Sequence, residues 1–97
     1  MPEQPEIFCL CGSARFVEEM RAANLQLTLA GAIVLAPAEA GIQLTDEQRK
    51  TLGAVHRHKI DLADRLLVVN PGGYIGESTA GEIAYAPAAG KPVSFTG

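Results

Sequence analysis

Short apolar runs alternate with longer segments of helical period along this chain. Four such runs lie at residues 7–11, 32–36, 66–70 and 92–95, and a segment of helical period separates each from the next. This alternation is typical of a parallel sheet whose strands are connected by helices. Right-handed crossovers then place helices on both faces of an open sheet with the strand order 2-1-3-4. The sequence therefore predicts an α/β fold: one Rossmann-like or flavodoxin-like domain over residues 1–97, with about four strands and three helices.

Capping signals predict where the helices begin and end. The three helices are expected over about residues 15–30, 45–64 and 79–90. Thr45 with Gln48 three residues later has the spacing of a capping box, which predicts the start of the second helix. Thr79 and Glu82 repeat that spacing at the start of the third helix, which Gly90 is expected to end.

Size and composition narrow the class of protein. A chain of 97 residues supports one domain with a modest core, and association into a homodimer is expected at this size. The hydrophobic fraction of 47%, with 5% aromatic residues, suits aliphatic parallel strands covered by helices. A net charge of −3 gives no general attraction to polyanions, so no nucleic acid polymer is expected as a partner. No signal-peptide pattern opens the chain and no apolar run approaches about 20 residues, so we expect a cytoplasmic protein without a membrane partner.

Two predicted turns meet at one edge of the sheet and form the walls of a cleft. They follow Cys11 and Asn70, at the ends of the first and third strands, between which the strand order reverses. Ligands of open α/β sheets bind at such a point. The first turn, Gly12-Ser13, leads into a helix and is followed by Arg15, so backbone N–H groups and a guanidinium can hold a phosphate. Ser13 is equally well explained as a helix N-cap.

The second wall combines a glycine-rich loop with Glu82. Residues 71–76 contain three glycines where the backbone can approach a ligand, and Tyr74 offers an aromatic face or a hydroxyl. Glu82 lies one turn into the predicted third helix, where the helix dipole favours a carboxylate that acts as a nucleophile. Its spacing from Thr79 gives it an alternative role in a capping box, and spacing alone favours that role.

The second helix contributes further candidates. At about 100° per residue, its predicted apolar stripe holds Leu52, Val55, Lys59, Leu62, Ala63 and Leu66. Lys59, in the middle of this stripe, reaches either to its edge or into the cleft, and His56 lies beside it nearer the ligand side. Both are therefore candidates for ligand contact. Asp61 and Asp64 point away from the stripe and are predicted to be surface or interface residues.

Cys9 and Cys11 point to the same side of the first predicted strand. Because no second cysteine pair completes a zinc site, we expect buried, reduced cysteines and no metal. Cys9 and Arg15 also have the C-x5-R spacing of the phosphate loop in low-molecular-weight, cysteine-dependent phosphatases. That alternative requires a cysteine at the start of the loop and a late acid, whereas Cys9 falls inside the strand and no aspartate follows Asp64.

Two stretches resemble one family of nucleoside-processing enzymes. Residues 7–15, IFCLCGSAR, resemble the first strand and turn of the 2′-deoxynucleoside 5′-phosphate N-hydrolases, members of the nucleoside 2-deoxyribosyltransferase superfamily. Residues 59–93 resemble that superfamily's second half, with an Ala-Asp pair before a Val-rich strand, a glycine-containing loop, a Gly-Thr-x-x-Glu-like segment and a closing Gly-Lys-Pro-Val. The resemblance covers nearly the whole chain.

The resemblance implies a function and a set of site residues. In the superfamily a glutamate at the start of the third helix attacks the anomeric carbon of the sugar, and Glu82 has the matching position. Water or a second base then resolves the glycosyl-enzyme, and no cofactor is expected. The implied substrate is a nucleoside or nucleoside 5′-monophosphate. The resemblance favours the nucleophile role of Glu82 over the capping role, because a nucleophile held at the start of a helix needs the same geometry that a cap provides. By the same resemblance, the binding residues are Gly12, Ser13, Arg15, Gly73, Tyr74 and Ser78.

Two positions depart from the superfamily pattern. Arg57 stands where its enzymes usually carry an aspartate, and Gly76 stands where they often carry another. Two hypotheses therefore remain: an N-glycosidase or N-glycosyltransferase that uses Glu82, and a non-catalytic nucleotide-binding module of the same fold. The sequence ends shortly after the last predicted strand, so we expect no C-terminal segment of the kind that contributes to a neighbouring subunit's site in some relatives.

Overall fold

Residues 4–97, which the computed structural model describes, form a four-stranded parallel sheet with helical connections. The strands are β1 (Ile7–Cys11), β2 (Ile33–Leu35), β3 (Arg65–Val68) and β4 (Val93–Phe95), and the helices are α1 (Val17–Leu29), α2 (Asp46–Leu62) and α3 (Glu77–Ala88). Short 3₁₀ turns cover Ala14–Phe16 and Pro71–Gly73. The strands pair in the order β2-β1-β3-β4. The predicted α/β fold, strand order and three helices are confirmed.

Helices cover both faces of the sheet because its central strands are apolar on both sides. On one face, α2 and α3 pack over a cluster of Cys9, Cys11, Ile60, Ala63, Leu66, Val68 and Ala86. On the other face, α1 packs over a cluster of Leu10, Met20 and Val69. Burying a large aliphatic side chain contributes about 1.5–3 kcal/mol, so these two layers hold the strand ends and their loops in place. Within residues 4–97, no helix is long and apolar enough to cross a membrane.

The start of α2 is capped as predicted. The Gln48 backbone N–H donates to Thr45 Oγ1 at 3.1 Å, and the Thr45 backbone N–H donates to Gln48 Oε1 at 2.9 Å. Both halves of the capping box are therefore present. The helix ends at Leu62, slightly before the predicted end. Gly90, with a φ of 79°, follows the end of α3 in the left-handed conformation that glycine favours.

Removing the Thr45 side chain is expected to destabilise the protein. Thr45→Ala leaves the Gln48 N–H without its acceptor, and loss of an N-cap costs about 1 kcal/mol. In a domain of this size that lowers the melting temperature by about 4–8 °C. Thr51→Ala is the matched control, because the Thr51 hydroxyl only donates to the Glu47 carbonyl within the helix and alanine is the better helix former. Thermal unfolding followed by circular dichroism compares the variants, and equal shifts would contradict the capping role.

The predicted start of α3 is wrong. The helix begins at Glu77 with Gly76 as its N-cap, so Thr79 lies inside the first turn and is only 3% exposed. The Glu77 carboxylate favours this earlier start through the helix dipole, and burial of Thr79 is compatible with a helical backbone there. Glu82 is therefore not part of a capping box. The alternative explanation for the position of Glu82 is removed.

The predicted apolar stripe of α2 is rotated from the face that is buried. Val55 is 45% exposed and Leu62 is 69% exposed, whereas His56 and Ile60 are buried and the same face continues to Ala63. Histidine is a polar residue in a hydropathy pattern, so the pattern assigns His56 to the exposed side. It therefore predicts burial of the row of residues next to the one that is buried. The imidazole is buried because the thiols of β1 lie beneath the helix and give it polar partners.

Asp61 and Asp64 are exposed, as predicted, and each accepts a hydrogen bond from another element of the fold. Asp64 Oδ2 accepts from the Ile7 backbone N–H at 2.8 Å, and Asp61 Oδ1 accepts from the Tyr85 hydroxyl at 2.6 Å. The hydrogen bond to Asp61 raises the pKa of Tyr85 above its usual value. These contacts connect the end of α2 to β1 and α3, which frame the site.

Candidate functional site

A cleft of about 300 Å³ opens beyond the carboxyl end of β1. Its lining comes from the turn after β1, the loop after β2 and the facing sides of α2 and α3: Gly12, Pro37, Ala38, Arg49, Leu52, Gly53, Val55, His56, Lys59, Ser78 and Glu82. Of the predicted site residues, the fold brings together Gly12, His56, Lys59, Ser78 and Glu82. We refer to this cavity as the Glu82 cleft.

Glu82 presents its carboxylate to this cleft from the second turn of α3. The side chain is 19% exposed, and Oε1 lies 3.7 Å from His56 Nε2 on α2. Ser78, one turn earlier on α3, lines the same cleft. The carboxylate is largely enclosed by protein, yet it borders a cavity. This arrangement allows Glu82 to act on a bound molecule.

His56 joins Glu82 to two thiols of β1. Its Nε2 atom lies 3.1 Å from Cys11 Sγ and 3.8 Å from Cys9 Sγ, and both cysteines are fully buried. The other ring nitrogen, Nδ1, is buried without a hydrogen-bond partner among residues 4–97. The prediction of buried, reduced cysteines is confirmed for burial and for the absence of a disulfide in the described residues. The polar contacts of His56 are therefore concentrated on one ring nitrogen.

The thiol pair and His56 influence each other's protonation. The pKa of the Cys9 thiol is lowered to about 6, first by its hydrogen bond with Cys11 and then by the hydrogen bond and charge of His56, against the effect of burial. The hydrogen bond with Cys9, burial and the charge of Glu82 raise the pKa of the Cys11 thiol. Burial lowers the pKa of His56, but the hydrogen bond and charge of Cys9 raise it more. Of the two thiols, Cys9 is therefore the one that loses its proton more readily, and its negative charge favours the protonated form of His56.

Gly12 and Lys59 shape the opposite side of the cleft. A Cβ atom on Gly12 would lie 2.7 Å from the Val69 carbonyl oxygen, so the turn after β1 passes too close to the end of β3 for a larger residue. Lys59 Nζ donates to the Ala36 carbonyl at 2.7 Å. Of its two predicted positions, Lys59 thus lines the cleft while its charge is held by the loop after β2. That contact fixes the loop that forms the cleft wall.

Four predicted site residues lie outside the lining of the Glu82 cleft: Ser13, Arg15, Gly73 and Tyr74. Ser13 Oγ accepts from the Arg15 backbone N–H at 3.3 Å and caps the 3₁₀ turn that precedes α1. The Arg15 guanidinium stacks on the Tyr74 ring, 3.7 Å from its centroid. Cys9 is fully buried inside β1, whereas a phosphatase loop requires its cysteine at the start of the open turn. The described residues therefore lack an exposed thiolate cradled by Arg15.

Several residues that line the cleft were not predicted from the sequence. The contact of Cys9 and Cys11 with His56 was not predicted either. One side of α2 carries Arg49, Leu52 and His56 at helical spacing, and all three line the cleft. The periodicity of the sequence would have predicted this side if His56 had been taken as an inward-facing residue. No such local signal exists for the thiol–imidazole contact. It depends on how α2 rotates over β1.

A second cleft, of about 400 Å³, continues from the first on the α1 side of Gly12. The two cavities share Gly12, Pro37 and Ala38 in their linings. On one side the second cleft is lined by Val17, Met20, Arg21 and Asn24 of α1, and on the other by the loop after β2, residues 36–41, most of which are small. Arg21 and Glu39, one from each side, form a salt bridge. Together the two clefts form a trench along the carboxyl edge of the sheet.

Comparison with known structures identifies the fold. A 2-deoxyribosyltransferase from the psychrotolerant bacterium Bacillus psychrosaccharolyticus is similar over 92% of this chain and 70% of that chain, with a TM-score of 0.70 and 20% sequence identity. No protein-family model matches the sequence, and no curated protein matches it. The chain has the nucleoside 2-deoxyribosyltransferase-like fold, as its sequence resemblance implied.

Proposed function

We propose that this protein cleaves the N-glycosidic bond of a nucleoside or nucleoside 5′-monophosphate, with Glu82 as the nucleophile. The position of that carboxylate carries the proposal. Glu82 is the one acidic group among the described residues that line the cleft, and no capping contact accounts for its place. The resemblance of residues 59–93 to the deoxyribosyltransferase superfamily supports the same role, and so does the fold.

The reaction requires one carboxylate beside the anomeric carbon of the sugar. A Glu82 oxygen attacks that carbon, the bond to the base nitrogen breaks, and its electron pair leaves with the base, which takes a proton from solvent. The glycosyl ester then reacts with water, which gives the free sugar and a released proton, or with a nitrogen of a second base. Because the transition state carries positive charge on the sugar, an adjacent anion stabilises it.

The trench provides room for both halves of such a substrate. Its two cavities measure about 300 and 400 Å³, which is within the usual range of small-molecule sites. The sugar must lie in the Glu82 cleft for attack, and the second cleft beyond Gly12 then receives the rest of the molecule. The small residues of the loop after β2 leave space there for a planar base.

Release of free base tests the proposal. The protein is incubated with 2′-deoxynucleosides, ribonucleosides and their 5′-monophosphates, and the products are separated by liquid chromatography. We expect free base from at least one of these substrates. A second base in the mixture distinguishes transfer, which yields a new nucleoside, from hydrolysis, which yields free sugar.

A non-catalytic nucleotide-binding role is the second candidate. It is favoured by the lining of the cleft, in which no second carboxylate accompanies Glu82 among the described residues to help the base depart. This candidate predicts that a nucleotide raises the melting temperature without any turnover, and that Glu82→Gln retains the shift. Turnover of any tested substrate contradicts it.

A further inference from the structure

Two thiols and an imidazole from separate elements meet beside the Glu82 cleft. The Sγ atoms of Cys11 and Cys9 lie 3.1 and 3.8 Å from His56 Nε2, and these three atoms are all within 4.8 Å of one another. All three residues are buried. The proposed glycosidic reaction requires neither thiol, so their meeting on one nitrogen needs its own explanation.

The spacing of these atoms fits a tetrahedral metal ion. With Zn–S bonds of about 2.3 Å and Zn–N bonds of about 2.0 Å, a sulfur and a nitrogen ligand lie about 3.5 Å apart. The two separations from His56 Nε2, 3.1 and 3.8 Å, lie on either side of that value. Two sulfurs and an imidazole select Zn²⁺ or a similarly soft cation over Mg²⁺ and Ca²⁺, which prefer oxygen ligands.

We infer that Cys9, Cys11 and His56 form a binding site for one Zn²⁺-like cation, whose fourth position faces Glu82. The Glu82 Oε1 atom lies 3.7 Å from the same His56 nitrogen. Because His56 and Glu82 both line the cleft, the cation enters from there. Any protons on the two thiols and on His56 Nε2 leave to solvent when the cation binds, and the two thiolates then balance the charge of the divalent cation inside the protein.

A cation at this site is expected to control the proposed nucleophile. With the metal bound, the Glu82 carboxylate is drawn to the cation and is no longer free to attack a sugar. Zn²⁺ therefore inhibits base release and a chelator restores it. This consequence rests on the proposed function, whereas the binding of the metal does not.

Cobalt binding tests the site without reference to activity. The full chain, reduced and freed of metal by a chelator, is titrated with Co²⁺ and followed by absorption spectroscopy. We expect one cobalt per chain, thiolate-to-cobalt charge-transfer bands and the intense visible bands of a tetrahedral ion, all lost when Zn²⁺ is added. A wild-type protein without charge-transfer bands overturns the inference. An inactive protein that binds cobalt through its thiols retains it, so the two proposals fail separately.

Substitutions identify the ligands. Cys11→Ser and His56→Gln are expected to weaken cobalt binding by about 100-fold or more, because losing even an outer partner of a metal ligand costs about 10–100-fold. His58→Gln is the matched control, since His58 is exposed on the same helix and is expected to leave the affinity unchanged. Cys9→Val keeps an apolar side chain in the core, which separates loss of a ligand from loss of the fold. Unchanged affinity in Cys9→Val, or equal loss in His58→Gln, overturns the site.

Discussion

Replacing Glu82 by glutamine is expected to abolish base release while the protein remains folded. The amide keeps the shape of the carboxylate, but it neither attacks the anomeric carbon nor balances the charge that develops on the sugar. Removal of a catalytic nucleophile lowers kcat on the order of 10⁴- to 10⁶-fold. We therefore expect a loss of at least about 10⁴-fold in the rate of base release, measured by liquid chromatography on the best substrate.

Glu77→Gln is the matched control for that experiment. It removes a carboxylate from the same helix at an exposed position in the first turn, outside the cleft lining. We expect unchanged kcat and a small loss of stability, about 0.3–1 kcal/mol, from the weaker interaction with the helix dipole. If Glu82→Gln retains base release, Glu82 is not the nucleophile. If Glu77→Gln loses it as well, the effect belongs to α3 rather than to Glu82.

Features of the fold that depend on residues close together in the sequence were predictable from the sequence alone. The runs at 7–11 and 66–70 are short, apolar and bounded by turns, and they correspond to β1 and β3 in the centre of the sheet. Thr45 and Gln48 lie close in sequence, so their capping box needs no distant contact. The strand order 2-1-3-4, expected for an open sheet with helices on both faces, is the order observed. Homodimer formation and a cytoplasmic location stay predictions from the sequence alone.

The start of α3 shows where local spacing is insufficient. Thr79 and Glu82 have the pattern of a capping box, but a cap also requires a non-helical backbone at its first residue. That condition is met three residues earlier, at Gly76, whose backbone is extended. The pattern alone does not distinguish these two starting points, because the extended backbone at Gly76 and the burial of Thr79 arise from the packing of the whole domain.

The thiol–imidazole cluster was not predictable, because its members are distant in sequence. Cys11 and His56 are 45 residues apart, and their contact requires both the position of β1 in the sheet and the rotation of α2 above it. A rotation by one residue, about 100°, would bring Val55 inward and expose His56. The hydropathy pattern favours that wrong rotation. Only tertiary packing places the imidazole over the thiols.

Adding one methyl group at Gly12 is expected to destabilise the fold strongly. The Cβ of Gly12→Ala would lie 2.7 Å from the Val69 carbonyl oxygen and 3.3 Å from Met20 Sδ. The turn has little freedom to retreat, because the Val69 backbone N–H donates to the Cys11 carbonyl at 2.8 Å just before it. Overpacking of this kind costs about 1–3 kcal/mol, which in a domain of this size lowers the melting temperature by roughly 4–24 °C.

Gly81→Ala provides the opposite expectation for the same chemical change. A Cβ on Gly81 meets no atom within 4 Å, and the residue lies in the middle of α3, where alanine is favoured over glycine by about 0.5–1 kcal/mol. Its melting temperature should rise while that of Gly12→Ala falls, as scanning calorimetry of the two variants can establish. A rise in both would mean that β1 and β3 separate easily at this point. The close approach of Gly12 to the Val69 carbonyl would then not restrict this position to glycine.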